Sequence, residues 1–317
     1  MRGNKKDGII SLLMSKDFVS GEQISRSLGI SRVMVNRYVR MLRNEGFDIE
    51  IRKGRGYRLN NVPDVIYPSL ISFKSSVLSG YKFVIFDSLP STNSFCLENA
   101  SKLSHKTVVI ANDQTKGRGR MERIWISEKG KDLTMSIFLK PGIYADEVIK
   151  YSISASLAVF DTLRDFDIDN VFIKWPNDIM YENKKICGIL TETTIQYDTK
   201  LVENLVIGIG LNVNSSPGSR IQNAISMFDV LGFEIKRSVI VGKIVEAFDK
   251  YVSLSYGEVF ERWRSNMGFI GKVVLIKFGD EELLCRFIDV SKSGEIIVEK
   301  DNEIKKFGFG EVSLVLG

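Results

Sequence analysis

Apolar and polar positions follow different rhythms in successive parts of this chain. The first is helical: DGIISLLMS is a short apolar helix, GEQISRSL follows, and in RVMVNRYVRMLRNE Val35, Tyr38, Val39 and Leu42 recur at helical spacing. Ser20 with Gln23 forms a capping box, Gly29 stops the second helix, and Ser31 is a good N-cap for the third. That helix turns its apolar stripe inward and leaves Arg32, Asn36, Arg37, Arg40 and Arg43 outward. After Gly46 the period drops to two: FDIEIR reads as a strand, KGRG as a turn and YRL as the return, a β-wing with Lys53 and Arg55 at its tip. Residues 1–62 therefore predict a winged helix-turn-helix.

The polar, proline-containing stretch NNVPDVIYP, 60–68, reads as a linker. Beyond it, YKFVIFD, TVVIA, DLTMSIFLK, VFIKW, CGILTETTIQ and NLVIGIGLNV read as strands. Helices are expected over STNSFCLENASKL, opened by Ser91 or Thr92, over ADEVIKYSISASLAVFDTL, and twice more between 219 and 267. This segment, 66–267, predicts a sheet with helices on one face. Near Gly268 the pattern shifts to five short alternating strands split by Gly, Ser and acidic turns, so 268–317 predicts a small β-barrel. The expected fold class is α/β (α+β), multidomain.

Charge sharpens the division. The net charge is +5, but residues 1–62 alone carry 13 Lys/Arg against six Asp/Glu, leaving the remainder slightly acidic. The N-terminal module is therefore anion-seeking, with Arg32, Asn36, Arg37, Lys53 and Arg55 as candidate DNA-binding residues. The bland reading of the same face is a helical docking domain with solvated arginines.

Candidate chemistry is narrowed by what is scarce. With 44% hydrophobic residues and no apolar run long enough for a signal peptide or membrane span, the chain reads as globular and cytoplasmic. Three widely spaced cysteines, Cys96, Cys187 and Cys285, read as reduced and structural. One histidine, His105, leaves catalysis to Lys, Arg, carboxylates and backbone, and no metal site is expected.

The densest candidate is QTKGRGRMERIW, 114–125, set between two strands. It completes neither a Walker loop nor GxGxxG, and taken alone it could be a mobile basic turn. It has company: DSLPSTNS (87–94), KWPND (174–178), KKICGIL (184–190) and GIGLNVN (208–214). Singly these read as a helix cap, a turn and a hairpin. In this order and spacing they resemble the biotin protein ligase family over nearly the whole chain, including the bifunctional members that repress biotin genes.

The resemblance implies a central mixed-sheet ligase domain of the biotin/lipoate ligase type and an SH3-like C-terminal barrel. It implies that biotin and ATP, with Mg²⁺, form biotinyl-5′-adenylate, and that biotin passes to one lysine of a biotin carboxyl carrier protein domain. On it, the catalytic residues are Lys185, Arg120 and Asp178. Biotin falls to Ser91, Thr92, Asn93, Gln114, Gly117, Arg118, Gly119, Arg120, Lys185 and Gly188. ATP or adenylate falls to Arg118, Arg120, Arg123, Trp125, Asn177, Lys185 and Asn212. Operator DNA and a ligand-promoted homodimer complete the implied partners. Met121 and Glu122 depart from the family's GRGRRG loop, which removes a cation and a glycine. Rival readings are a lipoate or octanoate ligase, a biotin-sensing repressor with a dead ligase site, and a DNA-binding regulator answering to another metabolite.

Overall fold

A computed structural model describes residues 4–72, 75–278, 281–308 and 313–315. Its N-terminal module has helices α1 (Asn4–Ser15), α2 (Gly21–Leu28) and α3 (Arg32–Asn44), then the antiparallel wing β1 (Asp48–Arg52) and β2 (Gly56–Asn61). Both bonds of the Ser20–Gln23 capping box form, Gly29 ends α2 at φ 61°, and Ser31 accepts from Met34 N. Ile9, Ile24, Val35, Val39, Leu42 and Tyr57 close a core separate from the rest of the chain, with Tyr38 at its half-buried margin.

After the short helix α4 (Pro68–Ser72) come β3 (Lys82–Phe86), α5 (Thr92–Glu98), β4 (Thr107–Ala111), β5 (Leu133–Leu139), β6 (Ile143–Tyr144) and α6 (Val148–Arg164). Then follow β7 (Val171–Lys174), β8 (Asp178–Tyr181), β9 (Lys184–Ile195), β10 (Leu201–Leu211), α7 (Met227–Leu231), α8 (Arg237–Ser253) and α9 (Tyr256–Ser265). The strands form one mixed sheet in the order β3-β4-β5-β10-β9-β8-β7, with β6 pairing to β10; β3 and β4 are parallel and the other pairs antiparallel.

The expectation of helices on one face needs correction. Helices α6, α8 and α9 cover the face bearing Val108, Met135, Ile137 and Ile207, but α5 packs on the other with Val84, Val109, Phe138 and Val206. Strand alternation explains this, since the inner strands are apolar on both faces. Two strands were also missed: β6 is only two residues long, and β8 follows Pro176 and Asn177, which read as a plain turn. Three helices, α7 to α9, occupy 219–267 where two were expected.

The chain closes with β11 (Val273–Phe278), β12 (Glu281–Val290), β13 (Ile296–Lys300), β14 (Glu303–Phe307) and β15 (Ser313–Val315), an antiparallel sheet ordered β14-β13-β12-β11-β15. The expected last strands extend into 309–312 and 316–317, outside the described residues. Val274, Ile276, Phe287 and Val298 join the central core, so this sheet is docked rather than tethered.

The segment expected as a linker is docked too. Ile66 packs into the central core while its neighbour Tyr67 packs into the N-terminal one. Asp64 receives Arg237 Nε at 2.8 Å, Arg237 N at 2.8 Å and Asn214 Nδ2 at 3.0 Å. The Arg237 side chain is 3% exposed, so its charge depends on this one carboxylate. Asp64→Ala should accordingly destabilise the chain by roughly 3 kcal/mol, because it strands a buried guanidinium. Urea unfolding checks this, and an unchanged midpoint contradicts it.

Candidate functional site

On the α5 face of the sheet, register brings small residues side by side. Ser136 faces Gly208, which faces Leu190; Thr134 faces Gly210, which faces Gly188, which faces Asp178. A Cβ on Gly210 would lie 2.4 Å from the Trp125 indole, and one on Gly208 would lie 2.4 Å from Asn93 Oδ1. The glycines thus form a bare backbone floor on which larger side chains rest.

At one end the walls are polar and neutral. Ser91 caps α5, which buries Thr92 and Asn93. Gln114 Oε1 accepts from Thr92 N at 2.8 Å, Ser136 Oγ lies 2.7 Å from Thr92 Oγ1 and 2.6 Å from Asn93 Oδ1, and Asn93 Nδ2 donates to Glu192 at 2.8 Å. Arg118 closes the chain on Glu192 at 2.9 Å. Bonds within this network hold Thr92, Asn93, Gln114, Ser136, Glu192 and Arg118 against one another along one wall.

The basic loop lies over the floor. Gly119 N donates to Arg123 O at 2.7 Å and Trp125 N to Gly117 O at 3.0 Å, making a small hairpin whose tip residue Met121 is left-handed at φ 52°. A Cβ on Gly117 would meet Trp125 O at 2.3 Å, which accounts for that glycine. The hairpin lowers Trp125 onto Gly188 and Gly210 and carries Arg120 and Arg123 to the opposite end of the cavity.

That end is cationic. Lys174 ends β7 opposite Asp178, and Asp178 pairs with Lys185 at 2.8 Å. Lys185 Nζ also sits 5.6 Å from the Trp125 ring. Burial lowers the Lys174 ammonium pKa against the opposing pull of Asp178, and burial likewise lowers that of Arg120. Among the described residues the cavity wall counts five basic residues, Arg118, Arg120, Arg123, Lys174 and Lys185, against one acidic residue, Asp178. Three buried polar atoms around it, Arg120 Nη2, Trp125 Nε1 and Asn177 Oδ1, have no hydrogen-bond partner among the described residues. Such atoms call for a polar ligand.

Most expected site residues meet here: Ser91, Thr92, Asn93, Gln114, Arg118, Gly119, Arg120, Arg123, Trp125, Asp178, Lys185 and Gly188 line one cavity. Gly117 shapes the hairpin behind it, and Asn177 stands behind the wall with Nδ2 on Ile189 O at 2.6 Å. Asn212 lies off the wall, its amide holding Ile225 O at 3.0 Å. Sequence reasoning missed Ser136, Glu192 and Leu314, and gave no individual role to Lys174, Gly208 and Gly210 within the KWPND and GIGLNVN motifs. A serine centred in the apolar run TMSIFL, and glycines alternating in VIGIGL, were readable signals for the floor. Leu314, from the C-terminal sheet, was not.

The second candidate site is the cationic face of the N-terminal module. Arg32, Asn36 and Arg37 are exposed along α3, and Lys53 is exposed on the wing. Arg55 leans on Phe18 with its guanidinium 5.0 Å from the ring, beside Arg52 and Arg58, which pair with Glu50. His105, by contrast, accepts from Lys140 N and stays off the cavity wall. All three cysteines are buried free thiols, and burial pushes Cys96 up to about 12. Among the described residues no helix is long and apolar enough to cross a membrane.

A glycine-floored, anion-seeking cavity joined to a winged helix-turn-helix defines an ATP-dependent ligase that carries a DNA-binding head. Comparison with known proteins agrees. Residues 85–212 match the biotin/lipoate A/B protein ligase family, 6–58 an HTH domain and 269–315 the biotin protein ligase C-terminal domain. The bifunctional ligase/repressor BirA of Bacillus subtilis is 31% identical over 327 aligned positions, spanning 99% of this chain and 100% of the relative. That of Escherichia coli K12 is 29% identical over 96% of each. The biotin protein ligase of Aquifex aeolicus, solved with biotin and ATP, superposes with a TM-score of 0.65 at 25% identity, over 74% of this chain and 99% of that one. The chain belongs to the family of bifunctional BirA ligase/repressors.

Since the partly buried Lys174 loses its proton more readily than an ordinary lysine, its cationic form fades as pH rises before free lysine would titrate. Nucleotide affinity should therefore weaken on that alkaline limb, and Lys174→Arg should move the limb to higher pH. Calorimetric titration of ATP across pH tests both; identical limbs in the two proteins would contradict the assignment.

Proposed function

We infer that this protein activates biotin with ATP and transfers it to a lysine of a biotin carboxyl carrier domain, and that the same chain is a biotin-responsive repressor. The observation that carries the ligase half is the pairing of a neutral polar end with a cationic end across one glycine floor. Biotin's fused rings suit the end walled by Thr92, Asn93, Gln114 and Trp125, with Gly188 allowing close approach, while its carboxylate points toward Lys185. The triphosphate lies among Arg120, Arg123, Lys174 and Lys185.

In the first step a biotin carboxylate oxygen attacks the α-phosphorus, and the bond to pyrophosphate breaks. Two anions must meet, so fixed cations matter most where charge builds, and Lys185 and Arg120 stand there. In the second step the carrier lysine's neutral amine attacks the acyl carbon, AMP leaves with the bonding pair, and the amine's proton departs. Asp178, already paired with Lys185, orients that amine. Mg²⁺ enters with the nucleotide as part of the substrate. Among the described residues no cluster of three His, Cys, Asp or Glu side chains can hold a resident ion, and Asn177, behind the wall, would act on a phosphate-bound one through the strand it holds at Ile189 O. Asn212 acts indirectly, shaping the loop after β10 through Ile225 O.

For the repressor half, Arg32, Asn36 and Arg37 face the major groove while Lys53 and Arg55 meet phosphates. Adenylate-promoted pairing of two chains sets two recognition helices on a palindrome. A cytoplasmic setting, where ATP and carrier meet, belongs to the same reading. The Aquifex aeolicus ligase solved with biotin and ATP, and the ligase/repressor relatives, support both halves.

Incubation with ATP, labelled biotin and a carrier domain should leave one covalent biotin on the carrier. Labelling by lipoate and none by biotin would reverse the substrate reading. Lys185→Ala should fold yet lose roughly 3 kcal/mol or more of transition-state stabilisation, read as biotin-dependent exchange of pyrophosphate into ATP. Exchange at the parental rate would remove Lys185 from the chemistry. The loop should behave as a lid, because a mixed anhydride must be shielded from water. Trypsin should cut it at Lys116, Arg118, Arg120 or Arg123 in the free protein, and biotin with ATP should protect it; equal cutting in both states would make it an ordinary surface turn.

A further inference from the structure

Of the two large apolar side chains the recognition helix exposes, Val33 and Met41, Val33 is by far the more exposed and is one that charge does not explain. Val33, in the first turn of α3, is 77% exposed on a face otherwise made of Arg32, Asn36, Arg37 and Arg40. A single exposed apolar residue is ordinary by itself. Its neighbours give it meaning: 33, 36 and 37 share one helix face, and none of Arg32, Arg37 and Arg40 is paired with a carboxylate among the described residues.

Asn36 is also oriented. Tyr57, buried in the wing and fixed by two backbone bonds to Val19 at 2.9 Å each, donates its hydroxyl to Asn36 Oδ1 at 2.5 Å. With the carbonyl oxygen engaged, the amide N–H groups are left to donate outward. One turn of helix therefore presents an apolar knob, a fixed donor and unpaired cations together.

We propose that Val33 is a specificity-determining residue of the DNA face, reading the C5-methyl of a thymine in the major groove while Asn36 donates to a purine N7 beside it. The proposal rests on the DNA-binding reading above and adds which base is read. Charge complementarity names the occupant, since the unpaired cations suit phosphates flanking the groove. Within that groove the thymine methyl is the apolar group an exposed valine can cover.

Duplexes enriched by the full-length chain from a random-sequence pool, with biotin and ATP present, provide the probe. Each thymine in the enriched duplex is then replaced singly by uracil, which removes only the methyl. At one position per half-site the replacement should weaken binding by the parent chain about fourfold, the worth of one buried methyl-sized group. The same replacement should cost Val33→Ser nothing, and this comparison within each protein removes any general effect of the variant on folding. Equal sensitivity of both proteins at every thymine would overturn the role of Val33 while leaving DNA binding in place. A pool that yields no enriched duplex would overturn the DNA-binding reading, and this proposal with it.

Discussion

Four basic side chains, Arg120, Arg123, Lys174 and Lys185, gather around the Asp178 carboxylate, two of them partly drawn out of water; they repel one another, and the fold has to hold them together. It does so with rigid elements: Lys174 and Asp178 face each other across the β7–β8 hairpin, Lys185 comes from the next strand, and Arg120 and Arg123 arrive on the loop hairpin. The repulsion is relieved when anions enter, so binding energy is released where the two reacting groups must be brought together. The glycine floor serves the same end, because any side chain at 208 or 210 would collide with Asn93 or Trp125.

The cavity is not mechanically isolated. Trp175, beside Lys174, donates its indole N–H to Gly294 O of the C-terminal sheet at 2.9 Å, and Leu314 of that sheet lines the cavity. On the other side, β10, which supplies the floor, leads into the loop carrying Asn214, whose amide reaches Asp64 in the segment leading from the DNA module. Asp132, just before β5, accepts from Val213 N at 3.0 Å and Ser215 Oγ at 2.6 Å, and its own carbonyl accepts from Arg237. Hydrogen bonds thus join Asp132 and the loop after β10 to Asp64, in the segment between the DNA module and the ligase sheet.

Much of this was legible in the residues. Caps at Ser20 and Ser31, the left-handed Gly29 and the apolar stripe of α3 are local effects, and local rules found them. The site residues clustered as expected because the motifs lie at strand ends and loops brought together by one sheet. What was missed depended on register or on distant partners. Ser136 and Gly208 become neighbours only through β5–β10 pairing, and Glu192 matters only because Arg118 and Asn93 arrive from elsewhere. Asp64 looked like a linker residue since nothing near it in sequence shows that Arg237 will be buried against it.

On the function proposed above, the cavity is built for a ligand joining a biotin-like acyl group to a phosphate anion, with the cations and the glycine floor acting together. Calorimetric titration with biotin alone and with a non-hydrolysable biotinyl-adenylate mimic tests it most directly. The mimic should bind at least roughly a hundredfold tighter than biotin, as expected for a site complementary to the activated species. Equal affinity for the two would contradict the account.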